Sequence, residues 1–119
     1  CKENKLEEVV TFHGWIDNNS QKMKEFYGKS QIFISASYFE NLSIVLLESL
    51  ASGCQVIASN VGGNPEVIWK ESLFRLGDFS QIRDQILISL AGRQEGQGNL
   101  PKKFILKGVK EKFNSLLKK

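Results

Sequence analysis

The sequence predicts an α/β domain with a parallel sheet and helices on both faces, and three observations support that prediction. Short apolar segments alternate along the chain with longer segments in which apolar residues recur at helical spacing. The apolar segments over residues 31–35 and 55–58 show little polar alternation, which is typical of strands covered on both faces. Glycines and turn residues separate the segments. Strands that alternate with helices form parallel sheets through right-handed crossovers.

The first part of the chain supplies two strands and a helix. The run Val-Val-Thr-Phe-His predicts a strand over residues 9–13, which Gly14 ends. Residues 20–27 predict a short helix with apolar side chains on one face, and Gly28 is placed at its end. The second strand follows over residues 31–35.

The second part continues the alternation. Residues 42–52 predict a helix rich in Leu, Ile and Val, and Gly53 fits its C-terminal stop. The elements expected after it are, in order, a strand over 55–58, a turn at 60–63, a helix over 65–69, a weak strand over 73–76, a helix over 80–91, a loop over 92–101 and an amphipathic helix over 102–119.

Composition excludes several classes of protein. The 119 residues allow one domain or part of one, and 41% hydrophobic with 24% charged residues is typical of a globular chain. No run approaches the roughly 20 apolar residues of a membrane helix, and a net charge of +3 does not indicate nucleic-acid binding. No Cys and His residues have metal-ligand spacing, and a reduced, cytosolic protein is the simpler interpretation of Cys1 and Cys54.

The segment over residues 37–43 joins a predicted strand to a predicted helix. Ligands of open parallel sheets bind beyond the carboxyl ends of the strands, and the N-terminal N–H groups of the next helix suit a phosphate. Glu40 is therefore expected beside an anion site, where its carboxylate can accept hydrogen bonds from sugar hydroxyls. A solvated loop residue or a helix cap explains Glu40 equally well from this segment alone.

Glu48 is the only charged residue between Asn41 and Gly53. A helix that is apolar nearly all round is buried, and a buried carboxylate is costly unless it is paired or hydrogen-bonded. Glu48 can reach a ligand that lies across the start of the helix. A structural partner, such as a cation, is the somewhat favoured explanation from this helix alone.

Residues 61–66 follow a predicted strand and open a helix. Asn64 is a suitable N-cap, and Pro65 fits the first helical position. Gly62 and Gly63 permit either a positive φ or the close approach of a ligand to the backbone. A tight turn without a further role is the plainer interpretation.

Together these segments resemble the nucleotide-sugar-binding half of the retaining GT-B glycosyltransferases of family 4, the glycosyl transferases group 1. The resemblance covers residues 6–76. Its motifs are Phe12-His13-Gly14, a strand ending near Ser37, the glutamate pair Glu40 and Glu48, the segment from Ala51 to Ala58, and Gly62-Gly63-Asn64-Pro65-Glu66-Val67-Ile68. The sequence departs from the family at Ala36, which is often Pro, and at Asn41 and Ser43, which are often Gly and Gly or Pro.

The resemblance implies a Rossmann-like, partial GT-B C-terminal domain and a role for each matching position. Glu40 would be the catalytic residue, which holds hydroxyls of the donor sugar. Glu48 would accept both hydroxyls of the nucleotide ribose. Backbone N–H groups of Asn41, Leu42, Ser43 and Ile44 would bind the sugar and diphosphate, and Gly14, Trp15 and Ile16 would lie against the base. The donor would be a UDP- or GDP-sugar as substrate, with no metal and no cofactor.

The resemblance also implies a longer parent enzyme that acts in polysaccharide biosynthesis. Since the chain opens on Cys1 and not on methionine, we expect residues 1–119 to be a truncated donor-binding domain, with its core over 6–91. The acceptor-binding N-terminal domain, and a loop whose Arg and Lys neutralise the diphosphate, would precede it. We therefore expect this fragment alone to be inactive. We also expect the strand over 9–13 to pair directly with another strand, or the chain to form a homodimer that covers open sheet edges.

Two alternatives remain open from the sequence. A non-catalytic nucleotide-sugar-binding or assembly module of the GT-B fold has the same donor motifs but performs no transfer. The helix over 102–119 carries lysines around an apolar stripe, which favours packing on the domain but is also typical of a helix on anionic lipid. The expected location is accordingly the cytoplasm, with attachment at the inner face of the membrane as the weaker alternative.

Overall fold

The computed structural model describes residues 2–92. Cys1, the rest of the loop predicted from residue 92 and the amphipathic helix predicted over 102–119 lie outside the described residues. The predicted packing of that helix on the domain, and its weaker alternative as a membrane-surface helix, therefore both stay sequence predictions. Among residues 2–92, no helix has both the length and the apolar character needed to cross a membrane.

Three parallel strands form the sheet, in the spatial order β1-β2-β3. The strands are β1 (Ile32–Ser35), β2 (Gln55–Ser59) and β3 (Leu73–Phe74). Ile32 lies opposite Gln55, and Ala58 lies opposite Leu73. The strands predicted over 31–35 and 55–58 are found to within one residue, and the one predicted over 73–76 is shortened to two residues. The prediction of a parallel, Rossmann-like α/β fold is confirmed.

One α-helix precedes the sheet, two connect its strands and one follows it: α1 (Gln21–Lys29), α2 (Ile44–Ala51), α3 (Asn64–Val67) and α4 (Phe79–Ala91). Single 3₁₀ turns lie at Lys2–Asn4 and Lys70–Ser72. Ser20 caps α1 by accepting a hydrogen bond from the Met23 N–H, and Asp78 caps α4 in the same way with Gln81. Gly53 follows α2 with φ of +84°, as expected of a glycine at a helix end.

The core lies around β2, all five residues of which are buried. Val56 and Ala58 pack with Leu46 and Leu50 of α2. Ile57, which alternates with them, faces the other side of the sheet, and α4 also lies against β2. Burial of each large aliphatic side chain contributes about 1.5–3 kcal/mol. Both faces of the central strand are therefore covered, as its unbroken apolar sequence predicts.

Residues 9–13 do not form the predicted strand. The N–H groups of Val9 and Val10 both donate to the carbonyl oxygen of Leu6, which makes a turn. Val9 is 77% exposed and Phe12 is 82% exposed. The β propensity of such residues depends on packing against neighbouring strands, and in the described part of the chain none lies beside them. The prediction that this segment pairs directly with another strand is therefore wrong, whereas the homodimer stays a prediction.

His13 and Cys54, two residues whose side chains can be reactive, make packing contacts and hydrogen bonds in the fold. His13 was expected in a strand; it instead lies with its ring against Phe26 of α1, at a centroid distance of 4.6 Å. Cys54 is a free, fully buried thiol. It donates to the carbonyl oxygens of Tyr27 and Ser30 at 3.3 and 3.5 Å, which fastens the end of α1 to the start of β2. Burial raises the pKa of the Cys54 thiol.

Candidate functional site

Two connections leave the carboxyl edge of the sheet side by side. We call residues 36–43, between β1 and α2, the Glu40 loop, and residues 60–63, between β2 and α3, the glycine turn. Because β1 and β2 are parallel, both connections begin at the same edge. This is the edge at which open α/β sheets bind ligands.

A chain of hydroxyl groups holds Glu40. The Ser37 hydroxyl donates to Glu40 Oε1 at 3.0 Å and lies 3.4 Å from the hydroxyl of Ser35, the last residue of β1. Ser59, at the end of β2, donates to the Ser37 carbonyl oxygen at 2.6 Å. Glu40 is half-buried, and its Oε2 makes no hydrogen bond within residues 2–92. The loop is thus anchored to both strands while one carboxylate oxygen remains available to a ligand.

The glycine turn packs directly on the backbone of the Glu40 loop. Gly62 has φ of +51°, and a methyl group in place of its hydrogen would overlap the carbonyl oxygen of Glu40. A methyl group at Gly63 would overlap the carbonyl oxygen of Asn41. Both glycines therefore permit a close approach between two loops of the chain itself, and Gly62 also adopts the positive φ that the sequence leaves as an alternative.

Asn64 does not cap α3, contrary to the prediction. Gly63 occupies the N-cap position and Asn64 is the first helical residue, so that Pro65 is the second. The fully buried Asn64 side chain donates to the Ser59 carbonyl oxygen at 2.9 Å, and its Oδ1 has no partner in the described part of the chain. The amide thus secures the end of β2. Asn64 was noticed in the sequence only as a helix cap, and no sequence pattern pointed to its contact with Ser59 five residues earlier.

Helix α2 points its N-terminus toward the Glu40 loop. It begins at Ile44, two residues later than predicted, and Ser43 is its N-cap. Ser43 is only 3% exposed, yet its hydroxyl makes no capping bond and has no partner within residues 2–92. The N–H groups of a first helical turn lack intrahelical partners, and the helix dipole adds a partial positive charge there. Leu42 and Ile44 are exposed beside them.

Glu48 lies one turn into α2 and is half-buried. Its Oε2 accepts a hydrogen bond from the Tyr27 hydroxyl of α1 at 3.1 Å. Burial, and then this bond to Glu48, raise the pKa of Tyr27 to about 12. The structural partner that the sequence left unidentified is therefore a neutral hydroxyl. The ion pairs described for residues 2–92 lie elsewhere, at Glu25–Lys29, Arg75–Asp78 and Arg83–Asp84.

The segment of Gly14, Trp15 and Ile16 lies beyond His13, whose ring packs on α1. Gly14 has φ of +65°, Trp15 is 87% exposed and Ile16 is half-buried. The structure thus links this segment to the helix that holds Tyr27 against Glu48. Tyr38 and Phe39, exposed immediately before Glu40, add aromatic side chains to the loop.

Two further findings bear on the location of a site. A cavity of about 400 Å³ lies at the opposite, amino-terminal edge of the sheet, lined in part by Gln31, Gln55 and Ser89. It includes none of the predicted site residues. Among residues 2–92, no three His, Cys, Asp or Glu side chains are grouped so that they could hold a metal ion.

Comparison with known proteins agrees with the motifs. The model of the family described as glycosyl transferases group 1 matches residues 1–92. N-acetyl-alpha-D-glucosaminyl L-malate synthase of Bacillus anthracis is 34% identical over 85 residues, which are 69% of this chain and 21% of that protein.

Two other relatives match shorter parts. An uncharacterised glycosyltransferase of Methanocaldococcus jannaschii is 32% identical over 71 residues, 60% of this chain and 18% of that protein. Alpha-maltose-1-phosphate synthase of Mycolicibacterium smegmatis is 41% identical over 49 residues, 41% of this chain and 13% of that protein. The matched part of the chain thus spans between 13% and 21% of these three relatives.

Proposed function

This chain belongs to the glycosyl transferases group 1 family, and we propose that it is the donor-binding part of an enzyme that transfers a sugar, with retention, from a nucleotide-diphosphate donor. The observation that carries the proposal is the meeting of Glu40 and the N-terminus of α2 at the carboxyl edge of β1 and β2. The same edge thus offers a carboxylate for hydroxyl groups and N–H groups for phosphates.

Glu40 is proposed as the catalytic residue that holds hydroxyls of the donor sugar. Ser37 occupies Oε1 of its carboxylate, which leaves Oε2 to accept from a hydroxyl group. Hydrogen bonds to a charged acceptor contribute about 1.5–3 kcal/mol. The anchoring of the loop through Ser59 supports a fixed position for this oxygen.

The diphosphate is proposed to lie at the start of α2, on backbone N–H groups of Asn41, Leu42, Ser43 and Ile44. The exposure of Leu42 and Ile44 leaves this helix start accessible. A helix N-terminus supplies about half a positive charge. Because that is less than the charge of a diphosphate, we propose that cationic side chains elsewhere in the parent enzyme complete the site and that this chain alone does not catalyse transfer.

Glu48 is proposed to accept both ribose hydroxyls, with Gly14, Trp15 and Ile16 against the base of a UDP- or GDP-sugar. Glu48 is four residues beyond Ile44, so the two lie on the same side of α2. Such a separation, about 6 Å along the axis, fits a ribose that follows a diphosphate bound at the helix start. The proposed reaction uses no metal and no further cofactor.

Nuclear magnetic resonance titration of the chain with UDP- and GDP-sugars tests the binding site. We expect the largest amide shifts over residues 40–48, and we expect Glu48→Ala to weaken binding by about tenfold or more. Glu71→Ala, at an exposed glutamate in the turn before β3, is the matched control. Shifts that avoid residues 40–48, or equal affinities for both variants, would contradict the proposed site.

Substitution of Glu40 distinguishes the enzymatic proposal from the alternative of a non-catalytic nucleotide-sugar-binding module. If the parent enzyme transfers sugar through this site, Glu40→Ala abolishes transfer. If the chain only binds or assembles, donor binding persists and Glu40→Ala leaves transfer by the parent intact, which contradicts the enzymatic proposal.

A further inference from the structure

We infer that Tyr27 is a positioning residue, which orients the Glu48 carboxylate so that it can receive the two hydroxyls of a ribose; this inference rests on the proposed function of Glu48. The two side chains come from different helices, α1 and α2, and meet through the hydrogen bond from the Tyr27 hydroxyl to Glu48 Oε2 at 3.1 Å. Tyr27 belongs to none of the motifs that the sequence singled out.

Tyr27 is itself held at two other points. Its ring contacts Phe33 of β1, with centroids 6.0 Å apart and planes inclined at 47°. Its backbone carbonyl accepts the hydrogen bond from the buried Cys54 thiol at 3.3 Å. The ring is thus placed against the sheet and the backbone against the start of β2. A donor fixed in this way can hold a glutamate, whose side chain otherwise samples several rotamers.

The bond to Tyr27 leaves Glu48 able to bind a diol. An ionised carboxylate has about four acceptor positions, two on each oxygen. Tyr27 uses one position on Oε2, so two positions on Oε1 and one on Oε2 remain for adjacent ribose hydroxyls. The bond therefore fixes the plane of the carboxylate without competing with the proposed ligand.

The donating form of Tyr27 is present throughout the neutral pH range. Burial and the neighbouring Glu48 raise the pKa of Tyr27 to about 12. The hydroxyl consequently keeps its proton, and Glu48 keeps this donor, under the conditions in which a nucleotide would bind.

The test compares Tyr27→Phe with the unaltered chain for UDP and GDP, each measured beside its 2′,3′-dideoxy analogue. Phenylalanine retains the ring that contacts Phe33 and removes only the hydroxyl. We expect Tyr27→Phe to weaken binding of the ribose nucleotide by about three- to tenfold. We expect less than a twofold change for the dideoxy analogue, because that ligand has no hydroxyls for Glu48 to receive. Glu71→Ala, at the exposed glutamate in the turn before β3, is the control and should change neither affinity.

If the bond between Tyr27 and Glu48 only holds α1 against α2, Tyr27→Phe weakens the binding of both ligands equally. That result would overturn the inference. Glu48→Ala identifies the cause of a failure. If Glu48→Ala reduces the preference for ribose while Tyr27→Phe does not, the positioning role is wrong and the proposed role of Glu48 stands. If Glu48→Ala leaves the preference unchanged, or the unaltered chain binds neither nucleotide, both proposals are wrong.

A second measurement applies if Tyr27→Phe does not fold. In the Tyr38→Phe variant, Tyr27 is the sole tyrosine, so its ring resonances can be assigned directly. We expect these resonances to shift on addition of the ribose nucleotide and to shift less with the dideoxy analogue. Equal shifts with both ligands would overturn the inference.

Discussion

At the scale of single residues, both proposed carboxylates have hydroxyl partners. Ser37 donates to Glu40 and Tyr27 donates to Glu48. A neutral donor orients a carboxylate but does not neutralise it, unlike an arginine or lysine. Each side chain is therefore oriented by a hydroxyl and can accept further hydrogen bonds from ligand hydroxyls, which is the property that the proposed function needs.

Titration of Tyr27 tests the contact with Glu48 without any ligand. In Tyr38→Phe, near-ultraviolet absorbance of tyrosinate reports Tyr27 alone, and we expect its midpoint near a pKa of 12. The pKa of Tyr27 is raised in the folded state from an ordinary value of 10.0. Its contribution to stability is thus complete below pH 10.0 and is lost as the pH rises toward 12.

The matched variant for this titration is Tyr38→Phe combined with Glu48→Gln. Replacement of the carboxylate removes its charge, so we expect the pKa of Tyr27 to fall while burial keeps it above the ordinary value. An unchanged midpoint in the double variant would show that Glu48 does not contact the hydroxyl in solution.

Asn64→Ala tests the polar anchor at the end of β2. The substitution leaves the Ser59 carbonyl oxygen without its amide donor, and we expect a loss of about 1–3 kcal/mol in the free energy of unfolding. Chemical denaturation measures it. Asn60→Ala, at an exposed neighbouring asparagine, is the control, and equal stabilities of the two variants would contradict the anchoring role.

The sequence was sufficient to place Glu40 and Glu48 but not their partners. A charged residue within an apolar helix is visible in a local pattern, as Glu48 was. Tyr27 lies 21 residues away from Glu48, and Ser59 lies 22 residues from Ser37. Such contacts depend on how α1, β1 and β2 pack together, which no local spacing specifies.

At the scale of elements, the glycine turn and the Glu40 loop form one unit. The backbone contact between them requires glycine at 62 and 63. The position of Glu40 is consequently set by an element that follows it by about 20 residues in the chain.

A comparison of Gly62→Ala with Gly53→Ala distinguishes the effect of this contact on stability from the effect of backbone strain. Both glycines have positive φ, +51° and +84°, but a methyl group at Gly53 meets no atom within 4 Å. We expect Gly53→Ala to cost about 1–2 kcal/mol from conformation alone. Gly62→Ala should cost more and should also shift the amide resonances of the Glu40 loop. Equal losses of stability in the two variants, with unshifted resonances of the Glu40 loop, would contradict the packing of the glycine turn on that loop.

The sequence predicts the type of an element correctly where a local pattern of apolar residues determines that type. The apolar runs at β1 and β2 and the helical spacing in α1, α2 and α4 all gave the correct type. Residues 9–13 have an equally suitable composition but do not form a strand, because a strand also needs a neighbour to pair with. The short α3 begins at Asn64, one residue earlier than predicted, and the Asn64 side chain hydrogen-bonds to the end of β2 instead of capping the helix.

At the scale of the whole molecule, β1 is an edge strand of the described sheet. Ile34 on β1 is exposed, as are Val9, Phe12 and Trp15. Unpaired edges and exposed apolar side chains favour association, so we expect the isolated chain to form a homodimer. Sedimentation equilibrium measures its mass. A monomer at all concentrations would contradict this prediction.

We propose that one sheet edge binds the two halves of a nucleotide-sugar through two different carboxylates. Isothermal titration calorimetry with UDP and UDP-glucose, and with GDP and GDP-mannose, measures what each carboxylate contributes to binding. We predict that Glu48→Ala weakens nucleotide and nucleotide-sugar alike, whereas Glu40→Ala weakens only the nucleotide-sugar. Unchanged affinities in both variants, or an equal loss of plain nucleotide with Glu40→Ala, would contradict the claim.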